Sequence, residues 1–304
     1  MDPVNICFCG DKHVIPLFTV AVSSLIDNLS KDRKYNIYFL HDSNCSDEEL
    51  ENIKKLGVIL INMKEYEPLF EGIDTRRYHR ASLYRLVLPD VFPNLNKILY
   101  CDVDVMFRSD PSELYDLKDD KDMNWYIMAR KNFKIIGILY KVFRKDDSIE
   151  YNSGILLINL RAWRLNSISQ KLIHELQDVK YKLPDQTALN NICEGHILEL
   201  PLKWNCYPIN IPFYDAGIIH FQMNSIKYLP SISKYKKEWF MYANKSGVEF
   251  EKDYFKTEIG NAICVAVILI LLFVIFFLMY KLFYKNKLTT PNMLLNNNIH
   301  QIIS

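Results

Sequence analysis

An α/β fold built on a mixed, mostly parallel sheet flanked by helices is predicted by three features of the sequence. Short apolar runs rich in branched and aromatic side chains, such as Val4–Cys9, Tyr35–Leu40 and Val58–Ile61, alternate with stretches whose apolar residues recur at helical spacing. Their β-α-β-α-β order implies parallel strands joined by right-handed crossovers. With 304 residues, 49% of them apolar and 13% aromatic, the chain can cover both faces of such a sheet. Its 37 basic residues are balanced by 36 acidic ones, so no basic field for nucleic acid is present.

The strand Val4–Cys9 runs into Gly10-Asp11-Lys12-His13, and Val14, Leu17, Phe18, Ala21, Ser24 and Leu25 then repeat as a helix. Ligands gather where the strands of open α/β sheets end. Gly10 allows close backbone approach there, although one glycine does not make a phosphate loop. Asp11 and His13 either face a ligand or leave Asp11 as a helix cap. After Tyr35–Leu40, Ser46-Asp47-Glu48-Glu49 opens a capped helix whose apolar face is Leu50, Ile53 and Leu56. Val58–Ile61 is the third strand. Ala81–Leu88 is expected to be helical and to stop ahead of Pro89. The basic and His side chains of Arg76–Arg85 read as a solvated face, with one exception. Arg85 lies among Leu83, Leu86 and Leu88 and needs a carboxylate or phosphate partner.

The stretch Lys97–Arg108, KILYCDVDVMFR, is the one around which the chain is organised. An apolar run leads into Asp102-Val103-Asp104 and returns to apolar Val105-Met106-Phe107. If the backbone stays extended, residues two apart share a face, and Asp102 and Asp104 converge on one object. A hard divalent cation such as Mn²⁺ or Mg²⁺, carrying phosphate oxygens, suits two carboxylates. The competing reading is two solvated carboxylates at a strand end.

Further on, Asp110–Leu114 starts a helix, Trp125–Ala129 reads as a strand and Asn132–Glu150 as a loop able to act as a flap. Tyr151-Asn152-Ser153-Gly154 precedes the buried strand Ile155–Leu160, and Ser167–Val179 is an amphipathic helix. Pro184-Asp185-Gln186 caps a helix over Thr187–Cys193; Ile197–Trp204 and Gly217–Phe221 are strands. His220, alone on an apolar strand, reads from these residues as a core histidine. The seven cysteines, Cys7, Cys9, Cys45, Cys101, Cys193, Cys206 and Cys264, contain no CxxC pair and read as small buried residues of a reducing compartment.

Ala262–Met279 carries no charge and is flanked by Tyr280, Phe283 and Tyr284, the pattern of a transmembrane helix. The expected division is 1–230 for the globular domain, 231–258 for a basic juxtamembrane segment, 259–283 for the membrane helix and 284–304 for a polar tail. The amino end shows no basic region followed by an apolar one. A single-pass C-terminal anchor holding a cytosolic domain to the lipid bilayer is therefore expected, with Lys281, Lys285 and Lys287 on the cytosolic side.

Six segments in order, FCGDKH (Phe8–His13), SLYRLVLP (Ser82–Pro89), KILYCDVDVMF (Lys97–Phe107), YNSGILLINLRAWR (Tyr151–Arg164), LPDQTALN (Leu183–Asn190) and GIIHF (Gly217–Phe221), resemble glycosyltransferase family 8 over about residues 4–230. This family of GT-A fold includes glycogenin and bacterial lipopolysaccharide galactosyl- and glucosyltransferases. The resemblance implies a metal-dependent retaining enzyme moving a hexose, glucose or galactose, from a UDP-sugar to a glycan, glycolipid or protein acceptor. Asp102, Asp104 and His220 would then ligate Mn²⁺ or Mg²⁺, a role for His220 that replaces the core reading. Cys9, Asp11 and His13 would hold the uridine, with Asp102 also near the ribose. Arg85 would contact the diphosphate or donor sugar, while Asn152, Asp185 and Gln186 line the sugar and the reacting face. Lys227 would contact the diphosphate, but it lies seven residues after His220 where the family has six, and Tyr228-Leu229 replaces the family's Pro-Trp. Two other readings share the Asp-x-Asp: a membrane-anchored, nucleotide-sugar-binding pseudoenzyme, and a phosphatase of the haloacid dehalogenase type.

Overall fold

A computed structural model describes residues 2–76, 78–132, 150–208, 215–230, 233–250 and 256–288. They divide into two compact units: Met1–Ser225 with Lys237–Lys252, and Ile226–Lys236 with Asp253–Ser304.

The first unit is organised by a seven-stranded sheet of order β3-β2-β1-β4-β7-β6-β8. Its strands are β1 (Val4–Gly10), β2 (Tyr35–His41), β3 (Ile59–Asn62), β4 (Lys97–Cys101), β6 (Ile127–Lys131), β7 (Tyr151–Asn159) and β8 (Ile197–Glu199). The pairs β1–β2, β2–β3, β1–β4 and β6–β8 are parallel, whereas β7 runs antiparallel to both β4 and β6. This is the mixed, mostly parallel sheet expected. Every residue of β1 is buried, and so are all but the first of β7, because apolar layers cover both faces. Phe18, Phe39, Trp125 and Trp204 belong to one layer. Tyr84, Trp163, Leu172 and Leu189 belong to the other. A two-stranded ladder, β5 (Val105–Phe107) with β9 (Ile218–His220), sets Val105 opposite His220.

Several local expectations are corrected. Asp102-Val103-Asp104 is not part of one extended strand; it is the bend at which the chain leaves β4 in one sheet and enters β5 in the other. Arg80–Val87 is a 3-10 helix, and Leu88–Val91 continues as a turn of α-helix with Pro89 in its first turn, where a missing N–H costs nothing. β7 begins at Tyr151 and so takes in the whole Tyr151–Gly154 segment. The strand expected over Trp125–Ala129 is shifted to Ile127–Lys131, and the one expected over Ile197–Trp204 stops at Glu199 before a 3-10 turn at Leu202–Trp204. The capping box at Ser46 is present, with Glu49 accepting from the Ser46 N–H at 2.8 Å. Of the flap expected over Asn132–Glu150, residues 133–149 lie outside the described residues, as do 289–304 of the polar tail.

Lys237–Lys252 belongs to the first unit, where Glu238 accepts from Arg108 Nε at 2.8 Å. In the second unit, Lys236 Nζ donates to the Leu229 carbonyl at 2.7 Å, and Thr257–Leu288 is one helix. No helix among the described residues is long and apolar enough to cross a membrane.

Candidate active site

In the strand order 3-2-1-4 the chain turns back beside β1, and a cavity of about 480 Å³ opens at the carboxyl ends of β1 and β4. This is where open α/β sheets bind ligands. Cys9, Gly10 and Asp11 line it at the end of β1, Asp102 and Asp104 at the end of β4, and Asn152 and Ser153 on β7.

Two backbone registers bring the charged groups together. Asp102 N–H donates to the Gly154 carbonyl at 2.7 Å, continuing the β4–β7 ladder by one residue. Phe221 N–H donates to the Asp104 carbonyl at 2.8 Å, so the β5–β9 ladder delivers His220 to the same point. His220 Nε2 lies 3.2 Å from Asp104 Oδ1 and 3.7 Å from Asp102 Oδ2. One ligand atom from each of Asp102, Asp104 and His220 lies within 4.8 Å of the others.

Asp102 is clamped from its other side. Its Oδ1 accepts from Tyr100 OH at 2.6 Å and pairs with Arg85 at 2.8 Å. That guanidinium is buried, lies 4.4 Å over the Tyr100 ring, donates to the Ser153 carbonyl at 2.9 Å and reaches Asp185 Oδ2 at 3.4 Å. Arg85 thus finds carboxylate partners, as its place in an apolar run required. Removal from water pushes the Asp102 carboxyl up, more strongly than Arg85 pulls it down. Burial by itself would push the His220 imidazole down, but the Asp104 carboxylate reverses this and the net direction is up.

Do these residues fit a divalent ion? Two ligands cis on an octahedral ion, each at about 2.1 Å, stand about 3 Å apart, close to the His220–Asp104 separation. Two carboxylates and an imidazole suit Mn²⁺ or Mg²⁺. The space is kept open by a glycine: a Cβ at Gly154 would lie 2.1 Å from His220 Cε1 and 2.7 Å from Asp102 Oδ2. The donor set and the space fit such an ion.

Of the residues singled out from sequence, Cys9, Asp11, Arg85, Asn152, Asp185 and Gln186 line the same cavity as the Asp-Asp-His cluster. Asp11 does two jobs: it caps the 3-10 turn at Lys12–Val14, accepting from His13 N at 3.0 Å, and it faces the cavity. His13 does not join it; its side chain is exposed on that turn. Lys227 falls in the second unit. His79, Glu150 and Asn205 are additions that the sequence does not mark. His79 Nε2 lies 3.3 Å from Asp11 and 3.6 Å from the buried Asp42, although its sequence neighbours are those of a solvated basic cluster. Glu150 accepts from Gln186 Nε2 at 2.5 Å, and Asn205 backs His220 at 3.0 Å. Nothing periodic in the sequence marks them; only the fold brings them in.

A family model, glycosyl transferase family 8, matches residues 5–230. The chain belongs to glycosyltransferase family 8. A Haemophilus influenzae protein described as "Putative glycosyltransferase" is 30% identical to this family 8 chain over 220 residues, 67% of the chain and 64% of that protein, which is just under two thirds of its length. An Escherichia coli lipopolysaccharide 1,2-glucosyltransferase is 25% identical over 268 residues, 84% of the chain and 78% of the relative. Among solved structures, galactosyltransferase LgtC in complex with donor and acceptor sugar analogs superposes with a TM-score of 0.65 at 21% identity, over 82% of this chain and 98% of that one. At that identity the likeness speaks for the fold. Family 8 membership leaves no ground for the haloacid dehalogenase reading.

Proposed function

We propose that the chain is a metal-dependent, retaining hexosyltransferase. It would move glucose or galactose from a UDP-sugar to a glycan, glycolipid or protein acceptor at a membrane. The observation that carries this reading is the convergence of Asp102, Asp104 and His220 within 4.8 Å, on the floor of a cavity that Arg85 also lines. Family membership and relatives described as glucosyl- and galactosyltransferases support the reaction class.

The chemistry follows from the charges. Cleaving a sugar from a nucleoside diphosphate leaves about two to three negative charges on the leaving group; Asp102, Asp104 and His220 would hold the divalent ion, which would supply Lewis-acid neutralisation of that charge. Arg85 adds fixed positive charge in a site withdrawn from water, where such preorganisation is strongest. The bond from the anomeric carbon to the diphosphate oxygen breaks. A bond from the acceptor hydroxyl oxygen forms on the same face, and the hydroxyl proton passes to the departing diphosphate. Front-face attack is favoured over a covalent intermediate because the Gln186 carboxamide is engaged at both ends. Its Oε1 accepts from Asn152 Nδ2 and Ser153 N–H, while its Nε2 donates to Glu150. Asp185 is likewise held, by Arg85 and by the Ser153 hydroxyl at 3.2 Å.

Membrane attachment through the C-terminal helix belongs to the same proposal. The apolar side chains of that helix from Val265 to Tyr280 are exposed, a contiguous patch that water does not favour. The domain would then face the cytosol.

Full-length protein in detergent, given a panel of UDP-sugars with and without Mn²⁺, is expected to release UDP from UDP-glucose or UDP-galactose only with the metal. Normal UDP binding with neither hydrolysis nor transfer of any UDP-hexose would favour a binding pseudoenzyme instead.

A further inference from the structure

His220 turns its Nδ1 away from the two carboxylates and onto Asn205 Oδ1, 3.0 Å away. Asn205 has no exposed surface, and the orientation of its carboxamide follows from its surroundings. A backbone N–H can only donate, so the Asn152 atom 3.1 Å from Gly154 N is the acceptor Oδ1. That same oxygen lies 2.8 Å from the Asn205 side chain, which must therefore present its NH₂ there. A second backbone donor agrees: Ser153 N–H meets Gln186 Oε1 at 3.3 Å, and this oxygen also takes Asn152 Nδ2 at 3.2 Å. Only the oxygen end of Asn205 is left for His220. The imidazole consequently carries a proton on Nδ1.

The Asn205 backbone is pinned as well. Its carbonyl accepts from the buried Arg130 guanidinium, and the next residue, Cys206, is bridged to Ile219 beside His220. The guanidinium in turn lies 4.0 Å over the Tyr207 ring.

We propose that Asn205 is a positioning residue for the cation site, holding His220 in the one neutral tautomer whose Nε2 lone pair faces Asp102 and Asp104. This rests on the divalent-cation reading above. The alternative tautomer is a real competitor, because a proton on Nε2 would be donated to Asp104 Oδ1 only 3.2 Å away. That hydrogen bond would occupy both would-be ligands at once. Asn205 removes the competitor by offering Nδ1–H an acceptor, at the far end of a hydrogen-bond chain anchored on two backbone amides.

Full-length wild type, Asn205→Ala and the milder Asn205→Ser, in detergent, are titrated with Mn²⁺ alone while free Mn²⁺ is read by electron paramagnetic resonance. Thermal unfolding without metal reports on the fold. Both variants are expected to bind Mn²⁺ about 10- to 100-fold more weakly, the usual effect of deleting a histidine ligand's outer partner. Either folded variant binding within twofold of wild type overturns the proposal. Wild type that does not bind Mn²⁺ at all sinks the cation reading instead, so the two failures are distinguishable. Should neither variant fold, ¹⁵N-histidine spectra of Mg²⁺-saturated wild type decide: a proton on His220 Nδ1 supports the assignment, and a proton on Nε2 overturns it.

Discussion

Gly154 faces His220 so closely that a single added methyl group would sit 2.1 Å from the imidazole Cε1. The same carbon would lie 2.7 Å from Asp102 Oδ2, so the residue packs against two of the three groups of the cluster. Its backbone is in β7, where any side chain is conformationally permitted, and Gly154 does not have a positive φ. Glycine is therefore needed for space and not for backbone freedom. Gly154→Ala is expected to push His220 out of line and to lower Mn²⁺-dependent turnover by about 100-fold or more, the scale of a 1 Å misplacement. Overpacking there is expected to cost about 1–3 kcal/mol in urea unfolding. An alanine variant with wild-type turnover would mean that the cluster tolerates displacement and is not catalytic.

Arg85 stands behind Asp102 as a buried cation shared by two carboxylates. Taking it away deprives Asp102 and Asp185 of the cation they share. Arg85→Ala is expected to destabilise the fold by about 3 kcal/mol, the low end for breaking a buried pair, because Asp102 keeps a quarter of its side chain exposed. Arg85→Lys is not expected to restore it, since one ammonium cannot reach Asp102, Asp185 and the Ser153 carbonyl in the fork geometry that a guanidinium provides. Chemical denaturation of the two variants checks both statements.

The metal-free cluster should respond to pH in one direction. Both His220 and Asp102 sit above their ordinary values, so the folded protein holds these protons more tightly than the unfolded chain. The stability they contribute is therefore present at low pH. The Asp102 part begins to fade above about pH 3.9 and the His220 part above about pH 6.5, each lost as pH rises through the folded value. A cation must displace the same protons, so Mn²⁺ affinity is expected to fall as pH is lowered, beginning above about pH 6.5. Thermal shifts produced by Mn²⁺ should accordingly grow between about pH 5.5 and pH 8. A shift that shrinks over that range would place the bound ion elsewhere.

Much of this site was legible in the sequence, though partly for the wrong reason. Asp102 and Asp104 were expected to converge because alternate residues of a strand share a face; they converge because a bend carries the chain from one sheet into another. The apolar runs marked β1 and β4 well and the second half of β7, since buried strands are continuously apolar. His220 could be tied to the aspartates only by resemblance, because its meeting with them depends on the register of β9 against β5. Asn205 and Gly154 were silent for a related reason. Neither residue type has a periodic signal, and what matters is which atom ends up opposite each of them. The 3-10 geometry at Arg80–Val87 also escaped, because apolar spacing of three and of four cannot be separated over so short a run.

Gln186 offers the last test, of mechanism. A carboxamide oxygen that attacked the anomeric carbon would have to give up two hydrogen bonds, from Asn152 Nδ2 and Ser153 N–H. Its nitrogen end is held by Glu150. If the residue only shapes the reacting face, Gln186→Ala should slow transfer by about 100-fold through lost positioning, yet give a product of unchanged anomeric configuration. If it were the nucleophile, the alanine variant would lose the covalent step. Transfer would then either cease or, with water or acceptor attacking from the opposite face, invert. Nuclear magnetic resonance of the product formed from an α-linked UDP-hexose, taken before mutarotation, separates these outcomes. Retention at reduced rate is the expected one, and an inverted product would restore the double-displacement route.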